Sequence, residues 1–499
     1  MFETAELGQK VDPASYEAQE TVLRNLLLAT QQRLRDAPFT VLVVFAGVDK
    51  AGTGDAVNVL NAWMDPRWIQ TEAYGQPSSE SLARPPFWRY WRDLPPRGQI
   101  GLRLAAWYRP AFEGRLADRI DDLAFEKSMH RIKVFEEMLT DDGAVVLKFW
   151  MHLSLAAQAQ KLGRLEEDPG TAWRVSEEDR AQHAHYERFV ELGERMILRT
   201  DQGAAPWHIV EGDDSNYRRL RVGTLLHQAL EAALDRRDAV RRAEKKRAAE
   251  DDQPAPRVPA RTILQRVDMK SKTTKEAYAE QLPLLQGRLN RAQRAAAARG
   301  ITVLAAFEGW DAAGKGGAIR RVTSALDARS YRVIPIAAPT DEEKARHYLW
   351  RFWRHLPRRG RVTIFDRTWY GRVLVERIEG YAKPAEWGRA YAEINDFEQQ
   401  LVEDDAVLCK FWLHITADEQ AKRFKAREET PYKAWKITAD DWRNRARWDD
   451  YALAVHDMIE RTSTRIAPWS IVPANDKRGA RLHVVRTMAE AIEGRLQAE

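Results

Sequence analysis

The chain has 499 residues, of which 44% are hydrophobic and 31% charged, with a formal net charge of +5. This length allows two or three domains, the composition is typical of a globular protein, and so small a net charge does not require a nucleic-acid partner. A single cysteine, Cys409, excludes an internal disulfide and a cysteine-based zinc site, and its apolar neighbours predict a small buried residue. The first residues lack a signal-peptide pattern and no apolar run approaches the roughly 18 residues of a membrane span, so we expect a cytoplasmic protein.

The first predicted elements are a helix, a strand and a glycine-rich loop. Apolar residues recur at helical spacing over residues 15–35, which predicts an amphipathic helix. The apolar run at 40–46 predicts a buried strand of the parallel type. The loop at 47–55 follows, with three glycines and Asp49.

The same features return in the second half at a constant offset of 262 residues, which is the separation of Gly47 from Gly309. The offset holds without insertion from about residue 16 to about residue 220 of the first half. We infer a duplicated domain. Several tryptophans are shared by the two copies, and we expect them to be core residues: Trp88 and Trp350, Trp91 and Trp353, Trp150 and Trp412.

The predicted domains are residues 1–235 and 263–499, joined by a charged and proline-rich linker at 236–262. Within each copy, strand patterns alternate with helix patterns. Alternation of this kind predicts an α/β fold in which helices flank a parallel sheet. The strands predicted in the second copy are 302–307, 332–337, 362–365, 407–414 and 469–472.

The loop at 309–317 carries the pattern Gly-x-x-x-x-Gly-Lys between a predicted strand and a predicted helix. Backbone N–H groups cradle phosphate in that context. A Ser or Thr usually follows the lysine, here Lys315, and helps to hold Mg²⁺; this chain has a glycine there and Asp311 inside the loop. We therefore expect a phosphoryl-transfer site whose metal is held by carboxylates. The glycines expected to form the cradle are Gly309, Gly314, Gly316 and Gly317.

A second carboxylate follows the strand predicted at 362–365. Asp366 lies at its carboxyl end, where an open α/β sheet binds ligands, so it can hold Mg²⁺ together with Asp311. Arg367 comes next, and a guanidinium there can bind a phosphate through two hydrogen bonds. Arg372 and Glu376, on the helix after Tyr370, are candidates for contact with a nucleotide or for support of the site.

A basic region follows at 418–436. Arg423 and Arg427 are four residues apart and share a helix face. Phosphoryl-transfer enzymes often bring such side chains in on a mobile lid, and we assign Arg427 to the transferring group. The residues expected to bind a polymeric phosphate donor are Lys422, Arg423, Lys425, Lys433 and Lys436.

The first copy lacks this chemistry. Its residues at the positions of Lys315, Gly317, Asp366, Arg367 and Arg427 are Thr53, Asp55, Leu104, Ala105 and Leu165. Loss of one preorganised charge typically costs on the order of 10²–10³ in rate. We expect the first copy to be inactive and to serve as a structural or dimerising partner.

Taken together, the loop at 309–317, the segments 366–370, 423–427 and 431–436, and the closing stretch 467–478 resemble the second family of polyphosphate kinases. The fusion of one intact and one degenerate copy resembles its two-domain class. The resemblance implies two tandem P-loop kinase-like domains that transfer a terminal phosphoryl group from inorganic polyphosphate to AMP, giving ADP, with Mg²⁺ as cofactor. One departure is Gly371, where family members often have Asn.

Two other functions fit the same residues. An ATP-dependent nucleoside monophosphate kinase needs the same loop and lid, and a kinase fold without catalysis could bind polyanions or RNA. The intact set of Lys315, Asp311 and Asp366 favours catalysis. The expected partners are polyphosphate and AMP or ADP, with no specific nucleic acid, no membrane, and a homo-oligomer left open.

Overall fold

The computed structural model describes residues 1–247, 262–430 and 439–498. The chain forms two compact units. Unit 1 consists of Met1–Pro77, Asp93–Gln253 and Asp341–His347. Unit 2 consists of Ser78–Arg92, Pro254–Thr340 and Tyr348–Glu499. Each unit thus includes a short segment from the other half of the sequence, which the predicted domain boundaries did not anticipate.

Each unit contains a five-stranded sheet in which all pairs are parallel. The strands of unit 1, in the spatial order β2-β3-β1-β4-β5, are β1 Val41–Gly47, β2 Ile69–Ala73, β3 Ile100–Leu104, β4 Val145–His152 and β5 Trp207–Glu211. The strands of unit 2, in the order β10-β9-β6-β8-β7, are β6 Thr302–Gly309, β7 Tyr331–Pro335, β8 Val362–Asp366, β9 Ala406–His414 and β10 Trp469–Pro473. The five strands predicted in the second copy are confirmed, with ends that shift by one or two residues.

Helices flank both sheets, as predicted. The described α-helices of unit 1 are Pro13–Leu34, Thr53–Trp63, Arg109–Leu116, Asp122–Asp141, Leu155–Glu167, Glu177–Ala184, Tyr186–Thr200, Ser215–Arg247 and Asp341–Lys344. Those of unit 2 are Ser79–Leu82, Trp88–Arg92, Lys275–Ala298, Lys315–Thr323, Trp350–Trp353, Val375–Ile378, Pro384–Glu403, Ala417–Glu428, Ala439–Ala446, Trp448–Thr462 and Lys477–Gln497. Short 3₁₀ helices are Phe2–Ala5, Pro66–Trp68, Ala172–Arg174, Ile263–Arg266 and Trp369–Val373. The helix Ser215–Arg247 runs into the segment predicted as a linker, and residues 248–261 lie outside the described residues.

The strand order explains where a ligand can bind in unit 2. The chain enters the sheet at the central strand β6, places β7 and β8 on one side, and then crosses to β9 and β10 on the other. Ligands of open α/β sheets bind outside the carboxyl ends of the strands where the order changes direction. In register, Phe307 of β6 faces Asp366 of β8, and Gly309 faces Leu413 of β9, so the loop at 309–317 and Asp366 leave the sheet at the same edge.

The shared tryptophans are core residues, as predicted. All six are at most 4% exposed. Cys409 is also buried, which raises the pKa of its thiol to about 12.

Both halves contain the same buried polar network. In unit 2, Lys410 donates hydrogen bonds to Glu398 at 2.7 Å, Tyr370 at 3.0 Å and the carbonyl of Thr462 at 2.6 Å. Their counterparts in unit 1, Glu136, Tyr108 and Thr200 around Lys148, make the same contacts. Because the network occurs in both copies, it belongs to the framework of the fold.

The segment Ser78–Arg92 completes the core of unit 2. Trp91 stacks on Trp353 with ring centroids 5.7 Å apart. Arg84 donates to the carbonyl of Leu356 at 3.2 Å, and the carbonyl of Ala83 accepts from the backbone N–H of Arg359 at 2.9 Å. The segment is therefore tied to unit 2 by both side-chain packing and backbone hydrogen bonds.

Within the described ranges, none of the helices has an apolar stretch of the length needed to cross a bilayer.

Candidate active site

The phosphate loop connects β6 to the helix Lys315–Thr323, which we call the lysine helix. Gly309 has φ +151°, and a Cβ there would lie 2.6 Å from the carbonyl oxygen of Leu413, so only glycine fits. Gly314 caps the lysine helix with φ +110°, also in the left-handed region. This turn leaves the N–H groups of the helix N-terminus facing outward, where they can bind an anion.

Two charged side chains of the loop are held by local contacts. Lys315 donates from Nζ to the carbonyl of Gly309 at 2.7 Å, so its ammonium lies across the loop. One carboxylate oxygen of Asp311 accepts from Asn444 at 3.0 Å, and the other lies 3.6 Å from the guanidinium of Arg367. The loop carboxylate is therefore already close to a second predicted site residue.

Arg367 lies in a turn immediately after β8. Its φ of +66° is in the left-handed region, and its N–H donates to the carbonyl of Phe307 at 3.1 Å. This turn directs the chain away from the sheet just after Asp366, and the Arg367 side chain remains 59% exposed. The guanidinium is thus available to a ligand at the strand ends.

A cavity of about 380 Å³ brings the predicted catalytic residues together. We call it the acidic cavity. Besides the loop residues 312–314, 316 and 317, its lining consists of Trp310, Asp311, Lys315, Arg320, Pro335, Ile336, Asp366, Arg367, Arg427 and Asp441. All five predicted catalytic residues are therefore in one place, although they come from three separate stretches of the chain.

A second cavity, of about 250 Å³, also lies against the loop and shares Ala312, Ala313, Gly314, Gly317 and Arg427 with the first. We call it the cationic cavity. Its lining consists of Ala312, Ala313, Gly314, Gly317, Ala318, Leu413, Arg423, Ala426, Arg427, Lys477, Ala480 and Arg481. Four of these side chains are cationic and none is acidic, which suits a polyanion without a metal.

Arg423 has a different task from the predicted contact with the polymer. It is 6% exposed, and its guanidinium donates to Glu419 at 2.7 Å. Its remaining N–H groups donate to the carbonyls of Ala312, Ala313, Ala474 and Asn475 at 2.7–3.0 Å. All five donors of the guanidinium are used. Arg423 therefore braces the phosphate loop against the turn after β10.

The other predicted basic residues differ in position. Lys422 and Lys425 are exposed on the helix Ala417–Glu428. Lys433 and Lys436 lie outside the described residues. Arg372 and Glu376 form an ion pair of 3.1 Å with each other, and neither belongs to the lining of the two cavities.

Sequence reasoning missed four charged residues that line the cavities. Arg320 and Asp441 belong to the acidic cavity, and Lys477 and Arg481 to the cationic one. Comparison of the copies could have indicated two of them, because the first half has Asn58 for Arg320 and Ser215 for Lys477. Asp441 and Arg481 are matched by Asp179 and Arg219, so that comparison gives no signal for them.

In unit 1, the position equivalent to the cationic cavity holds an internal ion cluster. Asp55, the counterpart of Gly317, bonds to Arg219 at 2.5 and 2.9 Å and to Arg218 at 2.7 Å. The Arg218 side chain lies against the loop, since a Cβ at Gly52 would be 2.2 Å from its Nε. A carboxylate of the protein itself therefore occupies the place beside this loop where an anion would bind.

Comparison with known proteins finds one family along both halves of the chain. The model of the family Polyphosphate kinase 2 (PPK2) matches residues 10–238 and 272–499. A polyphosphate:AMP phosphotransferase of Pseudomonas aeruginosa is 49% identical over 497 residues, 99% of each chain. Another, of Pseudomonas syringae pv. tomato, is 47% identical over 495 residues, 99% of this chain and 98% of that protein.

A crystal structure from Pseudomonas aeruginosa, assigned to polyphosphate kinase 2, matches the fold with a TM-score of 0.88. The two chains are 46% identical, and the match covers 100% of both. The family model covers both halves, and the relatives align along nearly the whole length. The chain therefore belongs to the polyphosphate kinase 2 family.

Proposed function

We propose that unit 2 transfers a terminal phosphoryl group from inorganic polyphosphate to AMP, giving ADP. The observation that carries the proposal is the pair of cavities that meet at one phosphate loop: the charged side chains of one include carboxylates, and those of the other are all cationic. Arg427 lines both. A two-substrate phosphoryl transfer needs such a meeting point, because catalysis rests on positioning and charge neutralisation. The names of the full-length relatives agree with this reaction.

The cationic cavity is the place for the polyphosphate chain. Lys477 and Arg481, from the start of the helix Lys477–Gln497, and Arg427 would contact successive phosphate groups. Because Asp311 and Asp366 line only the acidic cavity, the polymer would meet no negative side chain along this path.

The acidic cavity suits AMP and Mg²⁺. Asp311 and Asp366 supply hard carboxylate oxygens beside the loop. The described residues contain no metal-binding group of three or more His, Cys, Asp or Glu side chains, so substrate phosphates and waters would have to complete the coordination of an ion held by these two carboxylates. Mg²⁺ commonly binds one or two carboxylates together with substrate phosphates and waters. Asp311 and Asp366 would hold the ion, which would neutralise phosphate charge when bound.

The remaining chemistry requires few parts. The phosphate of AMP has a second pKa of about 6, so it is largely ionised at neutral pH and needs no general base. The loop N–H groups and Lys315 would bind the transferring phosphoryl group, with Lys315 giving up its hydrogen bond to the carbonyl of Gly309. Arg367 and Arg427 would stabilise the charge that spreads over the phosphoryl oxygens in the transition state.

Unit 1 is, in this proposal, inactive. Thr53 stands at the position of the loop lysine, and Asp55 fills the anion position through Arg218 and Arg219. Burial and the nearby Asp179 raise the pKa of Asp49, the counterpart of Asp311, to about 6. Unit 1 would then serve as a structural or dimerising partner of unit 2.

The experiment is a panel of transfer reactions with the full-length protein, Mg²⁺ and long-chain polyphosphate. AMP, GMP, ADP and GDP are supplied in turn, and the products are separated by anion-exchange chromatography. We expect ADP from AMP only when polyphosphate is present. Formation of ADP from AMP and ATP without polyphosphate would instead identify an ATP-dependent kinase. Absence of transfer to any nucleotide, with salt-sensitive RNA binding, would identify a binding protein.

A further inference from the structure

A buried pair next to the site has no role in the mechanism so far. Glu308 is 6% exposed and immediately precedes Gly309 at the end of β6. Its Oε1 accepts from the backbone N–H of Thr368 at 2.7 Å and from the Thr368 hydroxyl at 2.8 Å. Thr368 is 2% exposed and directly follows Arg367. The pair therefore links the strand that begins the phosphate loop to the turn that carries Arg367.

The pair is absent from the half without the catalytic residues. The counterparts of Glu308 and Thr368 are Ala46 and Ala106. In contrast, the buried lysine network around Lys410 is kept in both halves. A buried carboxylate that occurs only where the catalytic set occurs is expected to serve that set.

The first half also shows that the turn does not need the pair to form. Arg367 has φ +66° and donates to the carbonyl of Phe307 at 3.1 Å. Its counterpart Ala105 has φ +59° and donates to the carbonyl of Phe45, also at 3.1 Å. The backbone conformation is thus the same with two alanines in place of the pair. A requirement of the fold does not explain why a polar pair is buried here.

The surroundings of Glu308 connect it to the phosphate site. Burial raises the pKa of its carboxyl, while the charges of Lys315 and Arg367 and the hydrogen bonds from Thr368 act in the opposite direction. The Thr368 hydroxyl also accepts from the N–H of Tyr370 at 3.2 Å, at the start of the 3₁₀ helix Trp369–Val373. The hydroxyl is therefore held from two sides, and with it the residue that follows Arg367.

We propose that Glu308 and Thr368 are positioning residues, whose hydrogen bonds restrict the movement of the already formed Arg367 turn and so keep the guanidinium at the transferring phosphoryl group. The inference rests on the proposed function, because it assigns the pair a part in that transfer. It requires that the pair act through Arg367 and not through general stability. A misplacement of about 1 Å at a reacting group can cost about 100-fold in rate.

The test is the double variant Glu308→Ala with Thr368→Ala, which installs the residues of the first half. We expect kcat to fall by about 10- to 100-fold. The KM values for nucleotide and polyphosphate should stay within about threefold, and the melting temperature should change little, because the first half folds with the same two alanines. Thr368→Ser keeps both hydrogen bonds and should retain kcat within about threefold. Thr368→Val loses the hydroxyl, and its kcat should fall by more than about threefold. These single variants give the answer if the double variant fails to fold.

The deciding measurement repeats the double substitution in an Arg367→Ala background. If the pair acts through Arg367, the double substitution should lower the kcat of the Arg367→Ala protein by less than about threefold. An equal loss in both backgrounds, or a double variant with wild-type kcat, would overturn the proposal. Rates are measured with whichever nucleotide the wild-type protein uses best. A wild-type protein that transfers nothing refutes the proposed function and this inference together, whereas an active wild type with unaffected variants refutes the positioning role alone.

Discussion

One substitution in unit 2, Gly317→Asp, recreates the Asp55–Arg219 pair of the unit 1 ion cluster, while Ala480 stands at the position of Arg218. Asp55 bonds to Arg219 at 2.5 and 2.9 Å, and the counterparts of these residues are Gly317 and Arg481. A Cβ at Gly317 would lie 3.4 Å from the Arg481 guanidinium, so a carboxylate attached to it would reach that guanidinium. The new aspartate should therefore pair with Arg481 in the cationic cavity, as Asp55 pairs with Arg219 in unit 1.

The expected loss of affinity for polyphosphate follows from one negative charge placed beside the bound phosphate. A carboxylate roughly 5 Å from a bound phosphate costs about 3 kcal/mol at an effective dielectric constant of about 20. That energy is about two orders of magnitude in affinity. Stability should not fall, because an acidic residue in the first turn of a helix contributes about 0.3–1 kcal/mol. Position 317 lies in the first turn of the lysine helix.

The assay compares Gly317→Asp with Gly317→Asn, which has the same shape without the charge. We expect the kcat/KM for polyphosphate of the aspartate variant to be about 100-fold below that of the asparagine variant. The two melting temperatures should be similar. If the two variants differ by less than about threefold in kcat/KM, the cationic cavity does not bind the polymer, and our use of Asp55 as a stand-in for phosphate is wrong.

Three further predictions concern single side chains. Asp366→Asn should lower kcat with polyphosphate and Mg²⁺ on the order of 10²–10³, and near-normal turnover would remove Asp366 from the metal site. Asp55→Asn should leave turnover unchanged but cost about 1–3 kcal/mol of unfolding free energy, seen in denaturant titration, because Arg218 is 7% exposed and loses its charged partner. Burial lowers the pKa of His414 to about 4, and its Nδ1 accepts from Trp310 at 3.0 Å. Its folded pKa is below the unfolded value of about 6.5, so the wild type should lose stability relative to His414→Gln as the pH falls from 6.5 towards 4; a pH-independent difference would contradict this.

Most of the fold and the centre of the site could be predicted from the sequence. Apolar runs marked the strands, because a parallel sheet covered by helices buries both faces of each strand. The proximity of Asp311 and Asp366 could be predicted, because the carboxyl ends of parallel strands meet at one edge of the sheet.

The rest depends on packing that local patterns do not contain. Arg423 was expected to contact polymer because it is basic and shares a helix face with Arg427, but only the folded chain surrounds it with four carbonyls and Glu419. Lys477 and Arg481 lie about 160 residues beyond the loop, and only the position of the last helix of unit 2 brings them there. Conversely, the buried pair of Glu308 and Thr368 could have been found by the same copy comparison that located the catalytic residues.

Because unit 2 includes the segment Ser78–Arg92, the second half of the sequence expressed alone would lack part of its own core. Trp91 and Trp353 occupy equivalent positions of the two copies, so each ring stacks on its own counterpart in the repeat. A polypeptide of residues 263–499 would lack Trp91 and leave one face of Trp353 bare. Two such molecules could cover that face by stacking Trp353 on Trp353. We expect the shortened chain to self-associate in sedimentation experiments, and Trp353→Ala to abolish the association.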